Sequence, residues 1–383
     1  MTTRFARADN SIAGRWWWTV DRWSLLALGG LIGIGLVLAM AATPPVAERI
    51  HLDAFYFVRR QFALLPVAIA LMMSLTLLEP RQVRRLALLG FLISVAALAL
   101  TFVIGAEIKG ARRWINLGGF SLQPSEFVKP TFAVVAAWLF ALQRKNERFP
   151  GDVIAIVLYL GVMALLLAQP DVGMAAVVTA VWFAQYCLAG LRMIWVAMLG
   201  CTGLGALVGA YFVFPHVASR VNRFLDPASG DTYQINRSLE AFGNGGLFGR
   251  GPGEGTVKSV LPDAHSDFVF AVLGEEFGLF LCLLTVALFA FVVLRGYARA
   301  LQDSDLFNVL AVAGLVTQFG LQALINMGSS LHLMPTKGMT LPFISYGGSS
   351  LLALALGMGL MLALTRRRFT DLEARWLLGR AEA

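Results

Sequence analysis

The chain has 383 residues, of which 58% are hydrophobic and only 14% are charged. Apolar runs of about 20 residues recur along it, which excludes an ordinary soluble domain and indicates an integral membrane protein. The formal net charge of +8 does not indicate nucleic-acid binding, because the longest block of Lys and Arg is the run 366–368 and the other cations lie in short loops between apolar runs.

The first apolar run follows a cationic segment with four arginines between residues 4 and 22. A secretory signal peptide also begins with positive charge, but its apolar region is shorter than this run. We therefore expect an uncleaved first membrane span behind a cytoplasmic N-terminal tail, residues 1–23. Trp16, Trp17 and Trp18 precede the span and are expected at the membrane–water interface.

Ten membrane-spanning helices are predicted from the apolar runs, so the predicted fold class is an all-α polytopic membrane protein. Several runs are separated by only a few residues, and such short connections make consecutive helices antiparallel neighbours. The transmembrane domain 24–364 holds all ten, and residues 365–383 form a C-terminal tail. The predicted spans are 24–43, 61–79, 86–105, 127–143, 152–168, 172–190, 193–214, 268–294, 306–327 and 349–364.

The distribution of Lys and Arg over the short loops predicts the orientation of these helices. Most of these residues fall on the side that receives both termini, and the positive-inside rule assigns that side to the cytoplasm. The outer side then holds the long loops 44–60, 106–126, 215–267 and 328–348. The largest, 215–267, lies between helices seven and eight and is expected to cover the membrane surface with short helices and turns.

Lys129 lies inside an apolar run behind the second outer loop, where an isolated charge is costly. Glu126 lies three residues earlier on the same face of the predicted helix and is its expected partner. This pair indicates a cationic site for phosphate, although Arg, Lys and Trp side chains near such a loop also serve as interfacial anchors. Arg223 and Arg237 in the largest loop could also bind phosphate, but lone loop arginines are usually solvated, so the sequence does not decide their role.

Acidic residues cluster between Pro262 and Gly278, where a polar loop becomes an apolar helix. Asp267 stands at the mouth of this helix, where an Asp or Ser caps the N-terminus; a half-screened carboxylate there can also act as a general base. Glu275 and Glu276 lie about 12 Å further along the axis, since each helical residue adds about 1.5 Å. Carboxylates at that depth are expected to support a polar cavity beneath Asp267.

A polar stripe of Gln318, Gln322 and Asn326 recurs every four residues on the ninth span. Such residues usually form hydrogen bonds between helices, and Gln322 is also a candidate support of the polar cavity. The segment 334–350 that follows contains two prolines and three glycines, so it cannot be a continuous helix and must be covered by protein or line a cavity. Ser345 within it is assigned to the same supporting group.

Four motifs occur in order and are highly specific together: YQINRS, GGLFGRG, PDAHSDFVFAVLGEEFG and LPFISYGGSS. With them the sequence resembles, over nearly its whole length, the SEDS family of shape, elongation, division and sporulation proteins. It is more similar to the division-type members, because Ala264 stands where elongation-type members typically carry Gln and the pair Thr336–Lys337 is typical of the division type. Conservative departures from the family pattern are Asp263, Ser266 and Asn236.

The resemblance implies a peptidoglycan glycosyltransferase that polymerises lipid II, an undecaprenyl-diphosphate-linked disaccharide peptide. A carboxylate must take the proton of a sugar hydroxyl while cations hold the diphosphate, and a single displacement inverts the anomeric carbon. Asp267 stands at the position of the family's acidic residue, so the resemblance implies that Asp267 is the carboxylate that takes this proton. The residues assigned to substrate or loop positioning are Lys129, Arg223, Arg237, Trp114 and Lys337. A divalent cation, Mg²⁺ or Mn²⁺, is compatible with this chemistry, but the sequence indicates no ligands for it.

The resemblance further implies a class B penicillin-binding protein that crosslinks the new strand, and divisome regulators that control the pair. It places the chain in the bacterial inner membrane at the division septum, with its active site on the periplasmic face. Two other functions stay open at this point. A flippase would move labelled lipid II across sealed vesicles, and a non-catalytic division scaffold would tolerate Asp267→Asn in complementation.

Overall fold

The computed structural model describes residues 11–108, 111–190, 193–226, 233–335 and 338–366. Within these ranges the chain is mainly helical, and a helix stands at the position of every predicted span. The helices are α1 (Ile12–Thr19), α2 (Arg22–Ala42), α3 (Pro44–Arg49), α4 (Tyr56–Leu75), α5 (Pro80–Ile104), α6 (Pro124–Lys145), α7 (Gly151–Ala168), α8 (Val172–Leu188), α9 (Met193–Val213), α10 (Pro215–Leu225), α11 (Tyr233–Gly245), α12 (Val269–Ala300), α13 (Leu306–Ser330) and α14 (Gly348–Leu364).

Seven helical segments of the described chain are long and apolar enough to cross a membrane. They comprise α2 together with α3, then α4, α5, α6, α7, α12 and α13; three shorter apolar helices are α8, the 200–213 part of α9, and α14. The prediction of a helical polytopic membrane protein is confirmed. The division into two tails and a transmembrane domain stays a prediction, since residues 1–10 and 367–383 lie outside the described ranges.

Local sequence signals set several helix ends. Glu79 and Gln82 form a capping box at the start of α5, in which each side chain bonds to the other's backbone. Asp171 caps α8 and Asp305 caps α13, each through its side-chain oxygen. These residues satisfy main-chain N–H groups that have no partner within their own helix.

The segment between α5 and α6, which was predicted to be the second outer loop, is an exception to the all-α prediction. It forms a small antiparallel sheet of β1 (Ala106–Ile108), β2 (Ala111–Leu117) and β3 (Phe120–Leu122) in the order β1-β2-β3. Gly118 and Gly119 connect β2 to β3 with φ values of 53° and 98°. Two residues with positive φ form the tight turn that matches the twist of a hairpin.

The centre of the bundle is formed by α6 and α13, both buried along most of their length. Gln185 of α8 connects them, because its amide donates to Ala133 O of α6 at 2.7 Å and to Leu310 O of α13 at 3.0 Å. Gly314 leaves room for this amide: a Cβ there would lie 2.2 Å from Gln185 Nε2. The polar face of α13 is therefore held at a fixed position against α6.

α12 is interrupted at Gly278, where φ is 75° and ψ is −172°, inside the predicted span 268–294. The preceding outer loop supplies the missing hydrogen bonds. Its residues 246 and 247 accept from the N–H groups of Leu279 and Phe280, while Arg250 and its neighbour donate to the carbonyls of residues 275 and 276. A side chain at Gly278 would not fit, because a Cβ there would lie 2.4 Å from the N atom of residue 249.

Candidate active site

Asp267 lies in a tight turn of residues 263–268, called the Asp267 turn below, which leads into α12. The N–H groups of Ser266 and Asp267 both donate to Asp263 O, at 3.1 and 3.0 Å. Asp263 has a left-handed φ of 54°, which Asp tolerates better than most residues. Phe268 therefore occupies the N-cap position of α12. The helix thus begins one residue later than a cap at Asp267 would place it.

A non-helical segment of residues 338–346, called the covering segment below, lies against the Asp267 turn. Ser345 Oγ donates to Ser266 O, and Tyr346 N donates to His265 O at 2.9 Å. Ser345 Oγ also accepts from the main-chain N–H of residue 341 at 2.7 Å. One hydroxyl thus fixes the shape of the covering segment and its attachment to the turn.

Two further contacts bring the covering segment to Asp267 itself. A Cβ built on Gly338 would lie only 2.7 Å from Asp267 Oδ2, so a side chain at this position would displace the carboxylate or the covering segment. Below them, Asn326 Nδ2 donates to Asp267 O at 3.0 Å and to Met339 O at 2.6 Å. The half-buried carboxylate of Asp267 consequently lies where the turn, the covering segment and α13 meet.

Gln322, one turn before Asn326 on α13, connects this site to Lys129. Its amide donates to Thr340 O and Oγ1, both at 3.1 Å, and to Ser350 Oγ at 3.3 Å. Its oxygen accepts from Lys129 Nζ at 2.9 Å, and Lys129 Nζ lies 2.9 Å from Glu126 Oε2. The Lys129 side chain is only 1% exposed. The predicted Lys129–Glu126 pair therefore forms, but its ammonium is engaged by protein groups beneath the covering segment.

Glu275 and Glu276 hold the outer loop rather than a cavity beneath Asp267, which corrects the sequence interpretation. Glu275 accepts from Thr256 N at 3.0 Å and from Val257 N at 3.1 Å. Glu276 accepts from the ammonium of Lys258, and both carboxylates are fully buried. Buried carboxylates of this kind are tolerated because each is paired or hydrogen-bonded. They fix the loop that bonds to the interrupted part of α12.

Trp114 lies half-buried on β2, the middle strand of the outer sheet. The sheet is fixed at two points. Arg113 donates to Gln169 O at 3.1 Å and to Pro170 O at 2.6 Å, which attaches β2 to the turn before α8. Ser349 accepts from the N–H of residue 123 and donates to the carbonyl of residue 121, which attaches β3 to the start of α14 behind the covering segment.

The structure does not bring together all the cations assigned to the substrate. Arg237 pairs with Glu240, and its guanidinium lies 5.2 Å from the ring centroid of Tyr233, so both contacts are within α11. Arg223 lies in α10, but its side chain lies outside the described part of the structure. Lys337, next to Gly338, lies outside the described residues.

His265, two residues before Asp267, packs between two aromatic rings. Its ring centroid lies 5.1 Å from that of Phe57, in a stacked arrangement, and 5.5 Å from that of Tyr346. Burial lowers the pKa of His265 below its ordinary value of 6.5; the Asp263 carboxylate opposes this shift and the Arg49 guanidinium adds to it. A neutral imidazole is therefore part of the packing between the Asp267 turn and α4.

The donor set near Asp267 does not form a metal cage. Among the residues that the structure describes, no group of three or more His, Cys, Asp or Glu side chains is placed to hold a metal ion. Mg²⁺ and Mn²⁺ favour several oxygen ligands. Metal dependence stays a prediction, and no step below passes through a metal.

Sequence and structure comparisons agree on the relatives of this chain. The family model described as "Cell cycle protein" matches residues 22–369. The chain is 46% identical to the probable peptidoglycan glycosyltransferase FtsW of Caulobacter vibrioides, with 96% of this chain and 94% of that protein covered. It is 36% identical to the probable peptidoglycan glycosyltransferase FtsW of Tolumonas auensis, with 94% and 97% covered.

Two solved structures have the same fold. A chain of a peptidoglycan synthase complex that coordinates polymerization and crosslinking matches with a TM-score of 0.75 and 30% identity, covering 90% of this chain and 97% of that chain. The rod shape determining protein RodA of Thermus thermophilus matches with a TM-score of 0.69 and 31% identity, covering 93% and 99%. This chain belongs to the cell cycle protein family of FtsW, RodA and SpoVE.

Proposed function

We propose that this chain is a division-type peptidoglycan glycosyltransferase that polymerises lipid II, with Asp267 as general base. The observation that carries the proposal is the placement of Asp267. Asp267 is half-buried just before α12 and lies beside Gly338, and Asn326 of α13 donates to its main-chain carbonyl. The relatives named peptidoglycan glycosyltransferase FtsW, at up to 46% identity over most of the chain, support the same activity.

The proposed reaction is one inverting displacement. Asp267 accepts the proton of the attacking sugar hydroxyl while that oxygen forms a bond to the anomeric carbon of the second lipid II. The bond from this carbon to the diphosphate breaks, and undecaprenyl diphosphate leaves. The diphosphate is already a good leaving group, so a general acid is unnecessary, and preorganised cations stabilise the charge that develops on it.

The proposed roles of the cations follow from where they lie. Arg223, Arg237 and Lys337 belong to outer segments and are the candidate ligands of the diphosphate. Lys129 is buried and paired, so direct contact with substrate would require its bonds to open. Its role in the proposal is to hold Gln322, and through Gln322 the covering segment. Trp114, on the sheet beside α14, is the candidate for substrate positioning.

The proposed setting is the periplasmic face of the bacterial inner membrane at the division septum. A class B penicillin-binding protein is the proposed partner, and divisome regulators would act on the pair. The similarity to a chain of a peptidoglycan synthase complex that coordinates polymerization and crosslinking supports a partner of this kind. The long apolar helices of the described chain support the membrane location.

Purified full-length protein tests the proposal directly. The protein would be incubated with labelled lipid II, with and without a class B penicillin-binding protein, and the products separated by gel. We expect long glycan strands and released undecaprenyl diphosphate when both proteins are present. Absence of polymer in the complete mixture would overturn the proposal. Transfer of labelled lipid II across sealed vesicles without polymer would favour a flippase, and neither activity would favour a scaffold.

A further inference from the structure

Asn326 lies in α13 below the point where the Asp267 turn meets the covering segment. Its side chain is fully buried, and its two N–H groups go to two different segments: to Asp267 O at 3.0 Å and to Met339 O at 2.6 Å. We propose that Asn326 is a positioning residue for glycosyl transfer, which holds the Asp267 main chain and the covering segment in one fixed relationship. The inference rests on the function proposed above.

The main-chain carbonyl carbon of Asp267 is bonded to the Cα atom that carries the side chain, so a hydrogen bond to this carbonyl acts close to the carboxylate. A buried carbonyl needs a donor, and Asn326 supplies it from a helix that Gln185 already holds against α6. Restraining this carbonyl restrains the Cα atom and the Cα–Cβ direction from which the carboxylate projects. A catalytic group displaced by about 1 Å can lose a hundredfold in rate, so a single amide at this position is sufficient to matter for catalysis.

The hydrogen-bond pattern of Asn326 differs from that of a helix-packing residue. Both hydrogen bonds that its side-chain amide donates go to non-helical backbone, at residues 267 and 339. Its own Oδ1 is buried and has no hydrogen-bond partner among the described residues. Gln318 Oε1 is likewise buried without such a partner, so the two donated bonds, and not the oxygen, distinguish Asn326 from its neighbour in the stripe. The amide orientation thus serves the two carbonyls at the expense of its own oxygen.

Gln318 provides a matched comparison within the same stripe. It lies two turns earlier on α13 and is also buried, at 4% exposed. It lines small gaps in the helix bundle together with Phe132 of α6, Val177 of α8 and Met358 of α14, and with the Lys129 side chain. Within the described part of the chain, no hydrogen bond joins Gln318 to the Asp267 turn or to the covering segment. Its truncation therefore tests packing without touching the proposed positioning bonds.

The test compares Asn326→Ala with Gln318→Ala in the full-length protein together with its class B partner. Initial rates of lipid II polymerisation would be measured against lipid II concentration and pH, with thermal unfolding of each variant as the folding control. We expect Asn326→Ala to lower kcat at least about thirtyfold with KM changed by less than about threefold. We expect Gln318→Ala to keep kcat within about threefold of wild type at a comparable loss of Tm.

The pH–rate profile separates positioning from a loss of folded protein. A smaller folded fraction lowers the rate by the same factor at every pH. An altered environment of the base instead moves the pH range over which the rate falls on the acidic side. We expect this range to move in Asn326→Ala and to stay in Gln318→Ala. Asn326→Leu has the same branching of heavy atoms, a larger volume and no donor. It leaves no cavity, so a loss of rate cannot be caused by one, and it should behave like Asn326→Ala.

Two results would overturn the inference. One is wild-type kcat in folded Asn326→Leu. The other is an equal fall in kcat for Asn326→Ala and Gln318→Ala with neither profile moved. Both require active wild-type enzyme in the same assay, so they are distinct from failure of the proposed function, in which the wild type itself makes no glycan.

Discussion

A methyl group at Gly338 would lie 2.7 Å from the Oδ2 atom of Asp267. This distance is shorter than a carbon–oxygen contact allows, so an alanine must push either the covering segment or the carboxylate aside. The covering segment is otherwise attached to the Asp267 turn through Ser345 and Tyr346. Gly338 is therefore the position at which the smallest change of volume reaches the proposed base.

Gly338→Ala is expected to lower the polymerisation rate about tenfold to a hundredfold while the protein stays folded, because the displacement is local. The measurement is the initial rate with lipid II and the class B partner, with thermal unfolding recorded in parallel. Gly33→Ala is the control, since a Cβ at Gly33 meets nothing within 4 Å. Equal rates for Gly338→Ala and wild type would show that the two segments separate freely in the working enzyme.

The buried pair of Lys129 and Glu126 is expected to behave as one unit. Lys129→Met leaves the Glu126 carboxylate without its partner, and loss of one member of a buried pair typically costs about 3–5 kcal/mol. Adding Glu126→Gln removes the stranded charge and should recover part of that loss. Thermal unfolding of the single and double variants measures this. A double variant that is less stable than Lys129→Met would contradict the pairing.

The pair of Lys258 and Glu276 holds the outer loop, and Lys258→Met is expected to loosen it. The cost should again be about 3–5 kcal/mol, and the loop before the Asp267 turn should become sensitive to protease. Arg112→Met is the comparison, because the Arg112–Glu107 pair has exposed side chains and a surface pair contributes at most about 1 kcal/mol. Equal Tm values for the two variants would show that burial adds nothing to the Lys258 pair.

His265 is expected to make the fold sensitive to acid. Burial lowers its pKa below 6.5 in the folded protein, so the unfolded chain binds the proton more tightly and acid favours unfolding. The contribution of the neutral ring is fully present above pH 6.5 and is lost as the pH falls further. Between pH 7.5 and 5.5 the Tm of the wild type should therefore fall more than that of His265→Phe, which retains an aromatic ring between Phe57 and Tyr346. Identical pH dependence would exclude this role of His265.

The membrane helices could be predicted from sequence because each is an apolar run, and some have local signals at their ends, such as the Asp171 cap of α8. The break in α12 could not be predicted. Residues 268–294 were predicted as one apolar span, and Gly278 can leave the helix only because a distant loop replaces the lost hydrogen bonds. The sheet of the second outer loop was missed for a similar reason, since its strands are only 3 to 7 residues long.

The candidate site was predicted in part. Asp267 stood out as a carboxylate at the mouth of an apolar helix, and Glu126 as the partner of Lys129 by their spacing. The importance of Asn326 was not visible, because its bond to Asp267 joins residues 59 positions apart and a polar stripe on a helix is usually interhelical packing. The partners of Glu275 and Glu276 were missed since depth along a helix does not show which loop packs against it.

The measurement that tests the central claim most directly is lipid II polymerisation by Asp267→Asn in the purified complex with its class B partner. Asn keeps the size of the side chain but cannot accept the proton of the sugar hydroxyl. The account predicts loss of detectable glycan strands with unchanged Tm and unchanged copurification of the partner. Glycan synthesis at the wild-type rate by folded Asp267→Asn would contradict it.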